Sequence, residues 1–83
     1  MTTRNDIFQS LTKSILEILP HVEPDKILAA GRLVDLGANS IDRADIAIRT
    51  MEDLSIKMPL VELAKVTNIG ELVDLFSRYT NAR

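Results

Sequence analysis

The sequence predicts an all-α fold: a four-helix bundle of three main helices and one short one, with a long loop between the first two. Three observations carry that expectation. Apolar residues recur at spacings of three and four in three separate stretches, the period that gathers side chains on one side of a helix. Capping residues stand at the head of each stretch, and proline or glycine stands between them. A chain of 83 residues with 46% hydrophobic content can fill one small core and is too apolar for a disordered acidic segment. The expected organisation is a single domain over residues 1–83.

The first helix is expected from about Arg4 to Leu19, where Ile7, Phe8, Leu11, Ile15, Ile18 and Leu19 share a side. Thr3, followed three places later by Asp6, offers an N-terminal cap, and Pro20 ends the helix because it has no N–H. From His21 to Asn39 no long period survives, and Pro24, Gly31 and Gly37 punctuate the segment. It carries Val22, Ile27, Leu28, Leu33, Val34 and Leu36, so it reads as an ordered crossover pinned to the helices, with a short turn around Asp25–Ala30. A second helix opens at Ser40, capped by Asn39 or Ser40, and runs to about Leu54. Pro59 breaks the chain, and Leu60–Val66 holds one or two helical turns. Asn68 caps a last helix from Ile69 to about Tyr79, with Ile69, Leu72, Val73, Leu75 and Phe76 facing inward despite the cost of Gly70. The tail Thr80–Arg83 is expected to fray.

Composition closes several routes to function. Ten Lys+Arg against twelve Asp+Glu leave a net charge of −2, which provides no basic field for a nucleic acid. Lys13, Lys26, Lys57 and Lys65 are scattered, and Phe8, Phe76 and Tyr79 are the only aromatic residues, so no base-stacking platform exists. Cysteine is absent, which removes thiolate chemistry and suits a reducing, cytoplasmic location. The lone histidine, His21, excludes the common zinc clusters and reads as a solvated loop residue; no metal is expected. No apolar run approaches the ~20 residues of a membrane span, and Met1–Asp6 is polar, so neither an anchor nor a signal peptide is expected.

The second helix is unusual in its breadth of apolar surface. At 100° per residue, Ile46, Ala47, Thr50 and Leu54 form one arc and Ile41, Ala44, Ile48 and Met51 the neighbouring one. Together they span roughly 220°, about twice the stripe a surface helix needs. Either the helix is sandwiched between two others, or one arc stays open for a partner.

Leu36-Gly37-Ala38-Asn39-Ser40-Ile41-Asp42 is the stretch that bears on chemistry. A serine stands at a helix N-terminus behind a glycine turn, where the positive end of the helix dipole favours a phosphate on its oxygen. Taken bare, such a serine is most often only a cap. In its wider context, Leu-Gly-x-x-Ser opening a second helix after a long crossover resembles the phosphopantetheine attachment site of acyl carrier proteins. The resemblance covers nearly the whole chain, since Met58-Pro59 stands where the family has an Ile-Pro pair and Thr67-Asn68-Ile69 where the last helix begins. Two departures are visible. Asn39 replaces the usual Asp before the serine, and Arg43 and Arg49 interrupt the acids Asp42, Asp45, Glu52 and Asp53.

What the resemblance implies is a non-catalytic carrier, monomeric, with the acyl-carrier bundle. Ser40 would receive 4′-phosphopantetheine from coenzyme A through a phosphopantetheinyl transferase, and the arm's thiol would hold acyl groups as thioesters. The partner-facing surface would be Ile41, Asp42, Arg43, Ala44, Asp45, Ile48, Met51 and Glu52, with Ile46, Ala47, Thr50 and Leu54 facing the core. The run Gly37 to Asp45 is particularly similar to carriers in bacterial polyketide clusters that donate acetyl for β-branching. Those carriers work with an acyltransferase, a ketosynthase-like decarboxylase and an enzyme related to hydroxymethylglutaryl-CoA synthase. A cavity between helices, sheltering acyl chains in some members, would here be closed by Leu54, Leu63 and Leu72. Competing readings are a peptidyl, aminoacyl or fatty-acid carrier, a helical interaction module in which Ser40 merely caps, and a hydrolase pairing Ser40 with His21.

Overall fold

The computed structural model, which describes residues 2–81, contains three α-helices: α1 (Arg4–Ile18), α2 (Ser40–Leu54) and α3 (Ile69–Asn81). Three 3-10 segments, Pro24–Lys26, Leu33–Leu36 and Leu60–Lys65, lie in the connections. The short fourth helix expected from the sequence is the last of these, about two turns at three residues each.

Helix α1 is the common support, packing against both α2 and α3. Its head is a reciprocal capping box: Asp6 N donates to Thr3 Oγ1 at 3.1 Å, and Thr3 N donates to Asp6 Oδ2 at 3.0 Å. Ile7, Leu11 and Ile15, spaced by four, are fully buried. The helix stops one residue short of the expected end, and Leu19 caps it while its side chain joins the core. Side-chain bonds tie the helices laterally. Ser10 Oγ donates to Asp53 Oδ2 at 2.6 Å between α1 and α2, Glu17 meets Arg49 at 3.7 Å, and Arg4 pairs with Asp74 on α3.

Helix α3 buries all five residues assigned to its inner face, Ile69, Leu72, Val73, Leu75 and Phe76. It extends through Thr80 and Asn81, beyond the expected end at Tyr79; the rest of the tail that was expected to fray lies outside the described residues. Its head is bound with unusual completeness. Asn68 Oδ1 accepts from Glu71 N at 2.8 Å, and Glu71 Oε1 accepts from both the backbone N and the hydroxyl of Thr67. The remaining first-turn donors reach the crossover: Ile69 N donates to Gly31 O at 2.9 Å and Gly70 N to Ala29 O at 2.8 Å. A Cβ on Gly70 would lie 3.1 Å from that same Ala29 carbonyl, so the glycine makes room for the approach.

The crossover differs from expectation in two ways. Its first turn is Pro24–Lys26 rather than Asp25–Ala30, and a second turn at Leu33–Leu36 was not expected. Val22 and Ile27 are buried, but Leu28 and Val34 stand exposed instead of pinning the loop. The 3-10 geometry explains Val34: with three residues per turn, Leu33 and Leu36 eclipse on the half-buried side and turn Val34 outward.

The two apolar arcs of α2 resolve unevenly. Ile46, Ala47 and Thr50 are buried, and the Thr50 hydroxyl is satisfied by Ile46 O at 2.8 Å. On the other arc Ile41 is 72% exposed, Ala44 and Ile48 are half-buried, and Met51 is only 8% exposed. Met51 is therefore a core residue and not part of an open surface. The reason is the helix C-terminus, which forms a Schellman motif. Ile56 N donates to Met51 O at 2.8 Å, Ser55 N to Glu52 O at 3.3 Å, and Ser55 adopts the left-handed conformation at φ 56°. The motif brings the chain back over Met51, four residues before the left-handed Ser55, where buried Ile56 accompanies it.

Two outcomes follow from these termini. Ser55→Gly relieves a left-handed non-glycine residue and should raise stability by about 0.5–1 kcal/mol in urea denaturation. Glu71 and Asp6 have carboxyls held below their ordinary values by the Thr67 hydroxyl and amide and by the Thr3 amide and hydroxyl, respectively. Each binds its proton less tightly in the folded state, so its contribution is complete above its ordinary value, 4.5 for Glu71 and 3.8 for Asp6, and is lost as pH falls through the lower folded one. The thermal midpoint should therefore drop on acidification through this range, and Glu71→Gln should flatten that slope.

Candidate functional site

The site is built by four consecutive residues that do four different jobs. Gly37 closes the second crossover turn at φ 100°, a left-handed conformation that a side chain would strain. Its N–H donates to Val34 O at 3.1 Å, and the next amide, Ala38 N, reaches back to Leu33 O at 3.2 Å. Ala38 then inserts into the core at 2% exposure and fixes the height of the turn. Asn39 caps α2: its Oδ1 accepts from Asp42 N at 2.8 Å, and Asp42 Oδ2 accepts from Asn39 N at 3.2 Å. Ser40 follows as the first helical residue, with an exposed side chain.

That order decides between the two caps left open by the sequence. Asn39 does the capping, so the Ser40 hydroxyl is not consumed by the backbone. It accepts one contact, from Arg43 Nη2 at 3.4 Å. The substitution of Asn for the family's Asp keeps the capping box complete, because the amide oxygen accepts as a carboxylate would. Among the described residues no imidazole or carboxylate bonds to Ser40 Oγ. His21 lies against the turn, 3.5 Å from where a Cβ of Gly37 would stand, but it does not engage the serine. The pairing a hydrolase would need is not formed.

Ser40 and Arg43 stand on the rim of a groove of about 240 Å³ between the second crossover turn, α2 and the head of α3. Leu33, Val34, Ala47, Leu63, Val66 and Leu72 form its apolar lining, and Arg32 and Asn68 add polar groups. Leu63 and Leu72 thus line an open groove that they were expected to close, while Leu54 takes no part. Sequence reasoning did not connect Arg32, Val34, Val66 or Asn68 with Ser40. Arg32 and Val34 come from the crossover and Val66 and Asn68 from the link before α3, two segments without a helical period that the bonds between the crossover and α3 hold together.

Of the proposed partner surface, Ile41, Arg43, Asp45 and Glu52 are exposed, Asp42, Ala44 and Ile48 are half-buried, and Met51 is withdrawn into the core. Asp42 is further engaged by the capping box. Two exposed apolar residues on the short fourth helix, Leu60 and Val61, were read only as part of an apolar piece; Val61 is 71% exposed. Among the described residues no group of His, Cys, Asp or Glu could hold a metal, and no helix is long and apolar enough to cross a membrane.

Set beside known proteins, this arrangement has clear relatives. The family model for the phosphopantetheine attachment site matches residues 9–76. The polyketide biosynthesis acyl-carrier-protein AcpK of Bacillus subtilis (strain 168) is 45% identical over 69 residues, covering 83% of this chain and 84% of that protein. An acyl carrier protein of Thermotoga maritima is 28% identical over 79 residues, 94% of this chain and 96% of its own. Among solved structures, a chain from the curacin biosynthetic pathway HMG synthase in complex with acetyl donor-ACP superposes with a TM-score of 0.81 at 39% identity, covering 89% of this chain and 95% of that one. The chain belongs to the acyl carrier protein family, whose members bear a covalent 4′-phosphopantetheine.

The residues at the head of α2 suit such a group: an open hydroxyl, the electropositive helix end, and a guanidinium beside the oxygen. Because Asn39 and not Ser40 caps the helix, Asn39→Ala should cost about 1 kcal/mol, while Ser40→Ala should stay within about 0.5 kcal/mol of the parent. Urea denaturation of the two variants checks this, with the same slope expected for both.

Proposed function

We propose that Ser40 is the attachment residue and that the protein carries acyl groups as thioesters on its phosphopantetheine arm, without catalysing a reaction itself. The observation that supports this most directly is the exposed Ser40 hydroxyl, released from capping by Asn39. In the loading step, Ser40 Oγ forms a bond to the β-phosphorus of coenzyme A. The phosphoanhydride bond breaks, adenosine bisphosphate leaves, and the serine proton passes to a base on a phosphopantetheinyl transferase. This chain contributes position and access. The transferase contributes the charge neutralisation on which phosphoryl transfer depends.

The pathway reading is polyketide biosynthesis, with the protein as acetyl or malonyl donor for β-branching. It is supported by the likeness to AcpK and to a chain from the complex titled HMG synthase with acetyl donor-ACP. Its partners would be an acyltransferase that loads malonyl, a ketosynthase-like decarboxylase and a hydroxymethylglutaryl-CoA synthase-like enzyme. The groove agrees with a small cargo, since about 240 Å³ falls below the ~300–1,000 Å³ of pockets that enclose drug-sized ligands. The docking surface is Ile41 with Ala44 and Ile48 beside it, and Asp45, Glu52 and Arg43 at its edges; Met51 is no longer included.

Intact-mass spectrometry after incubation with coenzyme A and a broad-specificity transferase tests the attachment. One arm should be gained by the parent and none by Ser40→Ala, with the helical circular dichroism of the variant unchanged. A gain that persists in Ser40→Ala would refute the assignment. Loss of the acetyl mass from the loaded carrier, in the presence of a hydroxymethylglutaryl-CoA synthase-like enzyme, tests the pathway reading separately.

A further inference from the structure

The guanidinium of Arg43 stands beside the Ser40 hydroxyl and not beside an acid. On α2 its helical neighbours three and four residues away are Asn39, Ser40, Ile46 and Ala47, none of them acidic. Arg4, Arg32 and Arg49 each pair with a carboxylate, on Asp74, Asp35 and Glu17 respectively. Among the described residues Arg43 makes no ion pair, and its Nη2 lies 3.4 Å from Ser40 Oγ. The nearby acid Asp42 has a carboxylate turned to the Asn39 amide, and Asp45, two positions on, projects from a different part of the helix surface. Arg43 thus presents donors that no carboxylate takes up, at the atom to which a phosphodiester would be joined.

We infer that Arg43 binds the arm's phosphodiester within the same molecule, holding the root of the arm over the groove rim. This rests on the assignment of Ser40 as the attachment residue. Once Oγ is esterified, the phosphorus lies one bond further out and its anionic oxygens two, within the sweep of the guanidinium, and they replace a neutral acceptor by a charged one. Charge-assisted hydrogen bonds of this kind are shorter and stronger than neutral ones, and the planar fork of arginine matches two phosphate oxygens. The groove beneath the rim, with Leu33, Val34, Ala47 and Leu63, then receives the first apolar part of the arm. Arg43 acts as a positioning residue: it biases the arm toward the groove, and a docking partner must offer its own donors to draw the phosphate away. Because the pair is exposed, its strength is that of a surface ion pair, which corresponds to about a two- to fivefold excess of held over free arm, and it weakens with salt.

Phosphorus NMR of the arm-bearing protein tests this without recourse to acyl transfer. Parent, Arg43→Gln and Arg43→Lys are loaded with the transferase, and intact mass establishes that each bears one arm. The parent resonance should be displaced from that of free phosphopantetheine diester and should move back toward it as sodium chloride rises from low to molar concentration. In Arg43→Gln the resonance should sit near the free position and respond little to salt. Arg43→Lys, which keeps a cation without the planar fork, should fall between them. A parent resonance that coincides with that of Arg43→Gln at low salt, in proteins shown to bear the arm on Ser40, overturns the role of Arg43 and leaves the attachment site standing. Absence of an arm on Ser40 overturns both.

Discussion

The structure turns on the reciprocal pair of hydrogen bonds between Asn39 and Asp42 at the head of α2. A helix must satisfy its first amides, and the residue that does so has its side chain folded against the backbone. If Ser40 performed that task, its oxygen would be engaged where access is needed. By moving the cap back one residue, the sequence keeps the helix start closed and the hydroxyl free. Gly37 and Ala38 make the arrangement reproducible, one by reversing the chain in a left-handed turn and the other by anchoring it in the core. The departure from the family's Asp at position 39 is neutral for this purpose, since capping needs an acceptor and not a charge. The local charge does change. One negative group fewer stands beside the serine, and Arg43 adds a positive one, so the surroundings of the Ser40 oxygen favour an anion more strongly than the family pattern would.

The second dependence is between the crossover and α3. A long connection in a small domain loses conformational entropy when it is ordered, and this one is held by few buried side chains. It is held instead by satisfying someone else's donors: the carbonyls of Ala29 and Gly31 take the first two amides of α3. Both partners benefit, because a helix end that would otherwise rely on water is closed, and a loop that would otherwise wander is fixed at two points. Gly70 reduces intrinsic helix stability, yet a side chain there would press on the Ala29 carbonyl. The groove next to Ser40 exists because this junction places the Leu33–Leu36 turn opposite the heads of α2 and α3.

Most of the helical framework was legible in the sequence, and the reasons for the exceptions are specific. The inner face of α3 and the buried triplet of α1 could be read directly because period and burial coincide there. Both capping boxes on α1 and α2 have recognisable residues three apart. Met51 could not be placed by helical periodicity, since its burial depends on what the chain does after the helix ends. Its cover comes from a Schellman turn made with Ser55, where a glycine would have signalled the reversal. Val34 was misplaced for a related reason. A rule built on spacing assumes the α-helical period, and a 3-10 turn redistributes the same apolar residues. The exposed serine at the head of α2 was legible, but the groove beside it was not, because its walls come from segments with no period and are joined by backbone bonds that no side chain announces.

Removing Met51 from the exposed surface changes how a partner would read α2. What remains open is a narrow strip led by Ile41, with Ala44 and Ile48 partly sheltered behind it. A small apolar contact supplies little affinity, which suits a carrier that must leave each enzyme after delivery, because affinity differences between related complexes lie mostly in the rate of departure. Charge then sets orientation, and here it is divided along the helix. Asp42 is committed to the cap, Asp45 and Glu52 remain exposed toward the middle and far end, and Arg43 faces the Ser40 oxygen at the near end. A uniformly basic partner surface would meet Asp45 and Glu52 favourably but would be repelled where it approaches Ser40. A partner with basic groups opposite the middle of α2 and neutral donors around the arm's entry fits both ends. That division selects for direction of approach as well as for charge, and it follows from a single arginine placed three residues after the serine.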